Sequence, residues 1–169
     1  ALGQPLAVIA HRAVGGGAPE NSLAGIQYAI DRGIDMVEVD VRMTGDGHYI
    51  LMHDPSLART TNVKEVFPDR APALGTGDPN ARRYRTFDFA LEDVARLRLL
   101  DPLGNEHPVA KLDAALSLAE GRVLLLMELK DWEVESLADL EQAGIYVFTY
   151  NTGITSGNFR IGEYSAADA

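Results

Sequence analysis

Acidic side chains interrupt two strongly apolar stretches of the chain. Glu38 and Asp40 lie two residues apart in MVEVDV, and Glu128 and Lys130 repeat that spacing in MELK. Residues two apart in a β-strand share one face, so each pair would point to one side of a sheet. Three acids directed into one cavity would repel each other. A hard divalent cation, Ca²⁺ or Mg²⁺, would relieve that repulsion because it prefers oxygen ligands.

Salt bridges explain the same pattern without a metal. The two acids of the first stretch could instead face a basic residue, namely Arg12, Arg42 or Lys130. Arg12 and Lys130 are also suited to a phosphate group, which arginine holds through two parallel hydrogen bonds and lysine as a point charge. The residue types alone leave these interpretations open.

Two histidines come at the ends of apolar stretches. His11 follows LAVIA, and His53 closes HYILMH. Two imidazoles at one rim of a sheet can serve as general acid and general base, although either ring alone could be a hydrogen-bonded structural residue. His48 follows a turn glycine and His107 precedes a proline, so we expect both on the surface.

The elements that must position these residues alternate between strands and helices. Apolar runs predict five strands, at 6–11, 36–41, 48–53, 123–130 and 145–150. Helical periodicity predicts helices at 22–33, 91–97, 112–119 and 134–140, with Asn21 or Ser22 as the first cap and Gly33 as the first stop. This alternation predicts parallel βαβ units, whose functional sites lie at the carboxyl ends of the strands.

Length and composition limit the class of protein. The chain has 169 residues, which favours one domain, with the proline- and glycine-rich segment 55–90 as an excursion from it. A net charge of −10 argues against nucleic-acid binding, which needs a basic face. Absence of cysteine excludes disulfides and thiolate sites.

No apolar run approaches the roughly 20 residues that span a bilayer, so we expect no membrane insertion. The first residue, Ala1, favours an exported protein, although a cytoplasmic one fits the sequence too.

Several motifs, taken in order, resemble the glycerophosphodiester phosphodiesterase family: HR followed by PEN, then EVDV, MHDPSLARTTN and MELK. The match runs through the first 62 residues and returns at 123–130. The resemblance implies an α/β fold, a TIM (β/α)₈ barrel with a small insertion after the third strand, at about 55–108. A barrel of this kind typically needs about 250 residues. We therefore expect one barrel domain that is incomplete in this chain, with segments missing between 132 and 140.

The resemblance also assigns roles to residues. It makes His11 and His53 the acid–base pair. The phosphate-binding residues would be Arg12, Lys130, Glu20 and Asn21. The metal ligands would be Glu38, Asp40 and Glu128. The segment VFTYN at 147–151 resembles a late barrel strand of the family and would bring in Asn151.

The implied reaction is hydrolysis of a small-molecule glycerophosphodiester to glycerol 3-phosphate and an alcohol, with Ca²⁺ or Mg²⁺ as cofactor. One alternative is a phospholipase D-like enzyme acting on intact lipid. Another is a non-catalytic module that binds phosphate and metal on an eroded barrel. Two retained histidines favour an enzyme, because binding alone needs neither an acid nor a base.

Overall fold

The strand that carries Glu38 and Asp40 is the centre of the main sheet. The computed structural model of the chain describes residues 7–70, 84–101 and 103–130. In it, β2 (Met36–Met43) pairs in parallel with β1 (Ile9–Ala10) and with β6 (Leu124–Leu129). The far end of β2 pairs antiparallel with β3 (Tyr49–Leu51). Among the described residues, the other three strands of this sheet, β1, β3 and β6, are each hydrogen-bonded to β2.

Two helices cover one face of the sheet. Helix α1 (Leu23–Asp31) begins at Ser22, whose hydroxyl accepts a hydrogen bond from the backbone N–H of Gly25 at 3.0 Å. Its end is followed by Gly33 in the left-handed region, with φ of +65°, as a helix stop requires. Helix α4 (Leu112–Ala119) contacts α1 along its length. The predicted positions of both helices are confirmed.

Alternation along β2 separates an apolar face from a polar one. Val37, Val39 and Val41 are buried against the two helices, in a core that also holds Ile26, Ala29, Leu112, Ala115 and Met127. Each fully buried side chain of this size contributes about 1.5–3 kcal/mol. The apolar contacts fix which face of β2 is covered, so Glu38 and Asp40 must point the other way.

Described residues between Ile50 and Val109 build a second core. Its side chains come from β3, from two short helices, α2 (Val63–Val66) and α3 (Leu91–Ala95), and from the region of an antiparallel ribbon of β4 (Arg98–Leu99) with β5 (His107–Pro108). Phe67, Tyr84 and Phe89 form its aromatic part, with ring centroids 5.4 and 6.5 Å apart for the two pairs that include Phe89. The side chains of this second core therefore pack against one another, separately from the core between the main sheet and its two helices.

The prediction of parallel strands is right for β1, β2 and β6 and wrong for β3. TGDG at 44–47 forms a tight turn, in which Gly47 has φ of +82°, and β3 returns antiparallel along β2. The ribbon of β4 and β5 was not predicted. The strand expected at 145–150, the helix at 134–140 and the expected gap at 132–140 lie outside the described residues. Within the described ranges, no helix is long and apolar enough to cross a membrane.

Candidate active site

The register of two parallel strands brings three acids together. Asp40 of β2 is the direct partner of Glu128 in β6, so their side chains leave the same face of the sheet side by side. Glu38 lies two residues before Asp40 and therefore shares that face. One carboxylate oxygen from each of the three residues lies within 4.8 Å of the others.

Two members of the acidic cluster (Glu38, Asp40 and Glu128) are buried, and the Glu128 side chain is 34% exposed. Glu38 is 8% exposed and Asp40 is 1% exposed. Burial raises the pKa of Glu38, and the neighbouring charge of Asp40 adds to that rise, whereas a hydrogen bond from the backbone N–H of Arg12 opposes it. Within the described part of the chain, Oε1 of Glu38 and Oδ1 of Asp40 are buried without a hydrogen-bond donor. Buried oxygens left without donors suit a cation.

Two basic side chains flank the acidic cluster. Nζ of Lys130 lies 3.0 Å from Oδ1 of Asp40 and 2.5 Å from Oε1 of Glu128, although the contact to Asp40 lacks hydrogen-bond geometry. Nε of Arg12 lies 3.6 Å from Oδ2 of Asp40 and is buried without an acceptor in hydrogen-bond geometry. The predicted salt bridges and the predicted acidic cluster are therefore both present. Arg42 instead donates from Nε to the carbonyl oxygen of His53, at 2.9 Å.

A tight turn after β1 carries His11 and Arg12. Arg12 has φ of +53°, a left-handed conformation that is strained for a residue other than glycine, and its backbone N–H donates to Oε2 of Glu38 at 2.7 Å. Helix α1 presses on this turn at Gly25, where a Cβ would lie 2.0 Å from the carbonyl oxygen of Ala13. The ring of His11 is 74% exposed, with Nε2 3.8 Å from Oε2 of Glu38.

Asn21 joins the loop before α1 to the acidic cluster. Its side-chain amide donates to Oδ2 of Asp40 at 2.8 Å and accepts from the backbone N–H of Asp40 at 2.9 Å. Its own backbone N–H donates to the carbonyl oxygen of Arg12 at 2.7 Å. Asn21 is 2% exposed, so these contacts fix Asp40 and the turn at Arg12 relative to each other.

His53 reaches the same region by a different route from the one expected. Because β3 returns antiparallel, the chain after Leu51 runs back along β2, and the backbone N–H of Met52 donates to the carbonyl oxygen of Asp40 at 2.9 Å. His53 thus follows immediately after a residue bonded to Asp40. Nδ1 of its ring lies 2.7 Å from Oδ1 of Asp54.

Sequence reasoning missed Asp54, which contacts His53, and Arg59, which contacts Asp54. Arg59 contacts Asp54 through Nε and Nη2, at 2.5 and 3.1 Å, and Glu20 through Nη1 and Nη2, at 3.0 and 2.6 Å. The hydrogen bond from Arg59 lowers the pKa of Asp54 to about 2 and also lowers the pKa of Glu20. The sequence HDPSLAR places Asp54 directly after His53 and Arg59 six residues after it, and this spacing could have indicated the contacts.

The structure therefore places most of the predicted residues in one region. Arg12, Asn21, Lys130 and the three acids are in direct contact, Glu20 reaches Arg12 at 3.6 Å, and the two histidines lie on the adjoining segments. Asn151 lies outside the described residues. His107, which was expected on the surface, is partly exposed: its side chain is 20% exposed and its Nε2 lies 3.1 Å from Oδ2 of Asp101.

Three parallel strands with helices on one face and acids on the other are typical of an α/β protein and are consistent with part of a barrel. The model of the Glycerophosphoryl diester phosphodiesterase family matches residues 11–143. The chain belongs to this family, and the resemblance drawn from its motifs is confirmed.

Relatives of known structure share the fold. A glycerophosphodiester phosphodiesterase from Agrobacterium tumefaciens has a TM-score of 0.66 and 27% identity, over 86% of this chain and 58% of that one. A phosphodiesterase from Oleispira antarctica, solved in complex with its product sn-glycerol-3-phosphate, has a TM-score of 0.62 and 26% identity, over 85% of this chain and 56% of that one. The (β/α)₈ barrel expected from the sequence is therefore confirmed as the fold class.

Curated relatives agree in sequence. YhdW of Bacillus subtilis is 30% identical over 159 residues, which are 90% of this chain and 58% of that protein. Chicken glycerophosphodiester phosphodiesterase domain-containing protein 5 is 51% identical over 71 residues, 42% of this chain and 12% of that protein. The chain spans less than two thirds of each of these relatives.

Proposed function

We propose that the chain is a glycerophosphodiester phosphodiesterase that hydrolyses its substrate to glycerol 3-phosphate and an alcohol. The observation that carries the proposal is the convergence of three carboxylates within 4.8 Å of one another, between two basic side chains and beside two histidine-bearing segments. Membership of the family and the product complex of the Oleispira relative support it.

Glu38, Asp40 and Glu128 would hold a divalent cation, Ca²⁺ or Mg²⁺. The two buried carboxylate oxygens without donors support this assignment. A bound divalent cation would supply positive charge that stabilises the phosphoryl oxygens. Lys130 now neutralises Asp40 and Glu128 at 3.0 and 2.5 Å, which would leave it at the edge of the phosphate site once a cation takes over that role.

Arg12 would bind the phosphate group. Its backbone is fixed by Glu38 and Asn21, and its guanidinium has a buried Nε without an acceptor in hydrogen-bond geometry. The guanidinium lies 3.6 Å from Asp40 and 3.6 Å from Glu20, so it would have donors left for a phosphoryl oxygen. Glu20 and Asn21 would orient it from the adjoining loop.

His11 and His53 would transfer the protons. One ring would take the proton from the neighbouring glycerol hydroxyl as it attacks phosphorus, and the other would give one to the leaving oxygen, so that the alcohol departs and a cyclic phosphate forms. Water would then open the cyclic phosphate to glycerol 3-phosphate, with the two rings in exchanged roles. The second core, formed by described residues between Ile50 and Val109, supports the proposal that 55–108 is an insertion within a single barrel domain.

The test is release of glycerol 3-phosphate from glycerophosphocholine, with and without a chelator. We expect turnover that the chelator abolishes and that Ca²⁺ or Mg²⁺ restores. Turnover that resists the chelator would contradict the metal assignment. Cation binding without turnover would instead favour a phosphate- and metal-binding module, and release of product from intact phospholipid would favour a phospholipase D-like enzyme.

Variants test the roles of the histidines. His11→Ala and His53→Ala should each lower kcat by about 10²- to 10⁴-fold, the usual contribution of general acid–base catalysis, while cation binding persists. His48→Ala is the matched control, because this ring is 57% exposed and lies beside Asp46 in the turn before β3. Wild-type turnover in either of the first two variants would refute the acid–base assignment.

A further inference from the structure

We infer that Asp54 and Arg59 are positioning residues for His53: Asp54 holds the ring by Nδ1, and Arg59 holds Asp54. This inference rests on the proposed function, because it assigns His53 a proton-transfer role. Three contacts define the arrangement. Nδ1 of His53 lies 2.7 Å from Oδ1 of Asp54, Nε of Arg59 lies 2.5 Å from Oδ2, and Nη2 of Arg59 lies 3.1 Å from Oδ1.

The charge state of Asp54 decides where the proton of His53 lies. The pKa of Asp54 is about 2, chiefly because of the hydrogen bond from Arg59, so its carboxylate is ionised near neutral pH and can only accept hydrogen bonds. Nδ1 of His53 must therefore carry the proton. In the neutral ring this leaves the lone pair on Nε2, the nitrogen that points away from Asp54 and is free to accept a proton from a substrate or a nucleophile.

Arg59 contributes more to the geometry of Asp54 than to the stability of the fold. Its side chain is 48% exposed, and ion pairs at that exposure contribute little to folding. However, the guanidinium is planar and contacts both oxygens of Asp54, so it fixes the plane of that carboxylate. A carboxylate fixed in this way offers Oδ1 to the ring in one orientation, and the rotation of His53 is restricted accordingly.

The same guanidinium ties His53 to the opposite side of the site. Nη1 and Nη2 of Arg59 contact Oε2 and Oε1 of Glu20 at 3.0 and 2.6 Å. Glu20 precedes Asn21, the residue bonded to Asp40, and its Oε1 lies 3.6 Å from Nη1 of Arg12. One side chain thus links the segment that carries His53 to the loop that orients the proposed phosphate-binding arginine.

The direct test is the tautomer of His53 in the free protein, read from the ¹⁵N shifts of its ring in long-range ¹H–¹⁵N spectra. The chain has four histidines, and His53→Gln identifies the signals of interest by their loss. We expect Nδ1 to be protonated and Nε2 unprotonated in the neutral ring. The reverse tautomer in the wild-type protein would overturn the inference, whatever the turnover.

Asp54→Asn tests most directly whether Asp54 sets the tautomer of His53. Arg59 can only donate, so it should retain the amide oxygen and turn the amide NH₂ toward Nδ1. The proton of His53 would then move to Nε2, and kcat should fall by about 10²- to 10⁴-fold, as expected when a general base is blocked. An unchanged tautomer together with wild-type kcat would overturn the inference.

Arg59→Met and Arg59→Lys separate orientation from charge. Arg59→Met should mix the tautomers of His53 and lower kcat by about 10-fold or more, with a smaller change in KM. Arg59→Lys should recover part of kcat, because lysine supplies the charge without the planar double contact. Arg70→Met is the matched control, since Arg70 is 46% exposed and pairs with Asp93 at 2.6 Å. Equal effects of Arg70→Met and Arg59→Met on the tautomer and kcat would overturn the inference.

The tautomer measurement needs no substrate, so it separates this inference from the proposed function. Loss of the Nδ1-protonated form in Asp54→Asn supports the positioning role even if glycerophosphocholine is not hydrolysed. Retention of that form in Asp54→Asn and in both Arg59 variants overturns it even if hydrolysis is found. Arg59→Lys keeps the charge of the native residue, so the test does not depend on folding of the methionine variant.

Discussion

Replacement of Asp40 by asparagine should remove most of the stabilisation that a divalent cation gives to the fold. Asp40 is 1% exposed and stands between Glu38 and Glu128 in the acidic cluster. Asparagine keeps the shape and can still accept a hydrogen bond from Asn21, so the variant should fold. It lacks the charge, and neutral oxygen is a poorer ligand for a hard cation.

The size of the effect follows from linkage between binding and folding. At a free cation concentration 100 times Kd, binding to the native state stabilises it by about 2.7 kcal/mol. For a domain of this size, each 1 kcal/mol raises Tm by about 2–4 °C, so the wild-type Tm should rise by about 5–11 °C. If Asp40→Asn weakens binding by about 100-fold, the stabilisation at the same concentration falls to about 0.4 kcal/mol. The rise in Tm would then be about 1–2 °C.

The assay is thermal unfolding followed by circular dichroism, after treatment with a chelator and again with added Ca²⁺ or Mg²⁺. Asp93→Asn is the matched control, because Asp93 is a partly buried, ion-paired carboxylate on α3, outside the acidic cluster. It should keep the full rise in Tm. A rise in Asp40→Asn equal to that of the wild type, or no rise in the wild type, would refute the reasoning.

Three further variants probe the surroundings of the site. Gly25→Ala should destabilise the fold by about 1–3 kcal/mol in chemical denaturation, because its Cβ would lie 2.0 Å from the carbonyl oxygen of Ala13; an unchanged midpoint would contradict this. The folded-state pKa of Asp54, about 2, lies below its ordinary value of 3.8, so its contribution to stability is present above about pH 4 and is lost as the pH falls toward 2. Arg59→Met should flatten that part of a stability–pH curve, and an identical slope would argue against the pairing. Lys130→Met should lower Tm without cation and enlarge the cation-induced rise, because a competing positive charge leaves the two carboxylates beside it; a smaller rise would show that the lysine does not compete.

Local sequence signals were sufficient for the helix and the strand that build the centre of the fold. Ser22 and Gly33 bracket α1 because a hydroxyl cap and a left-handed glycine each satisfy a specific need of a helix end. Alternation of valine and acid in β2 predicted two faces, since the side-chain period of a strand is two. These features depend on neighbours in the chain and are therefore readable from it.

Other features depend on partners that the sequence does not identify. The pairing of Asp40 with Glu128 is a matter of strand register, which is set by packing of the whole sheet. TGDG between two apolar runs is typical of a hairpin turn, and β3 pairs antiparallel with β2 accordingly. Contacts of Arg59 with Glu20 and Asp54 join segments that are far apart or irregular, and no periodicity points to them.

The antiparallel return of β3 has a consequence for the order in which the site assembles. A hairpin closes early, because the entropy lost in joining nearby segments is small, so Asp40 and the residues just before His53 can meet while the chain is still being synthesised. Glu128 and Lys130 emerge much later. Arg12, whose Nε lies 3.6 Å from Oδ2 of Asp40, is synthesised before the acidic pair, so we expect it to be the first counter-ion of Glu38 and Asp40.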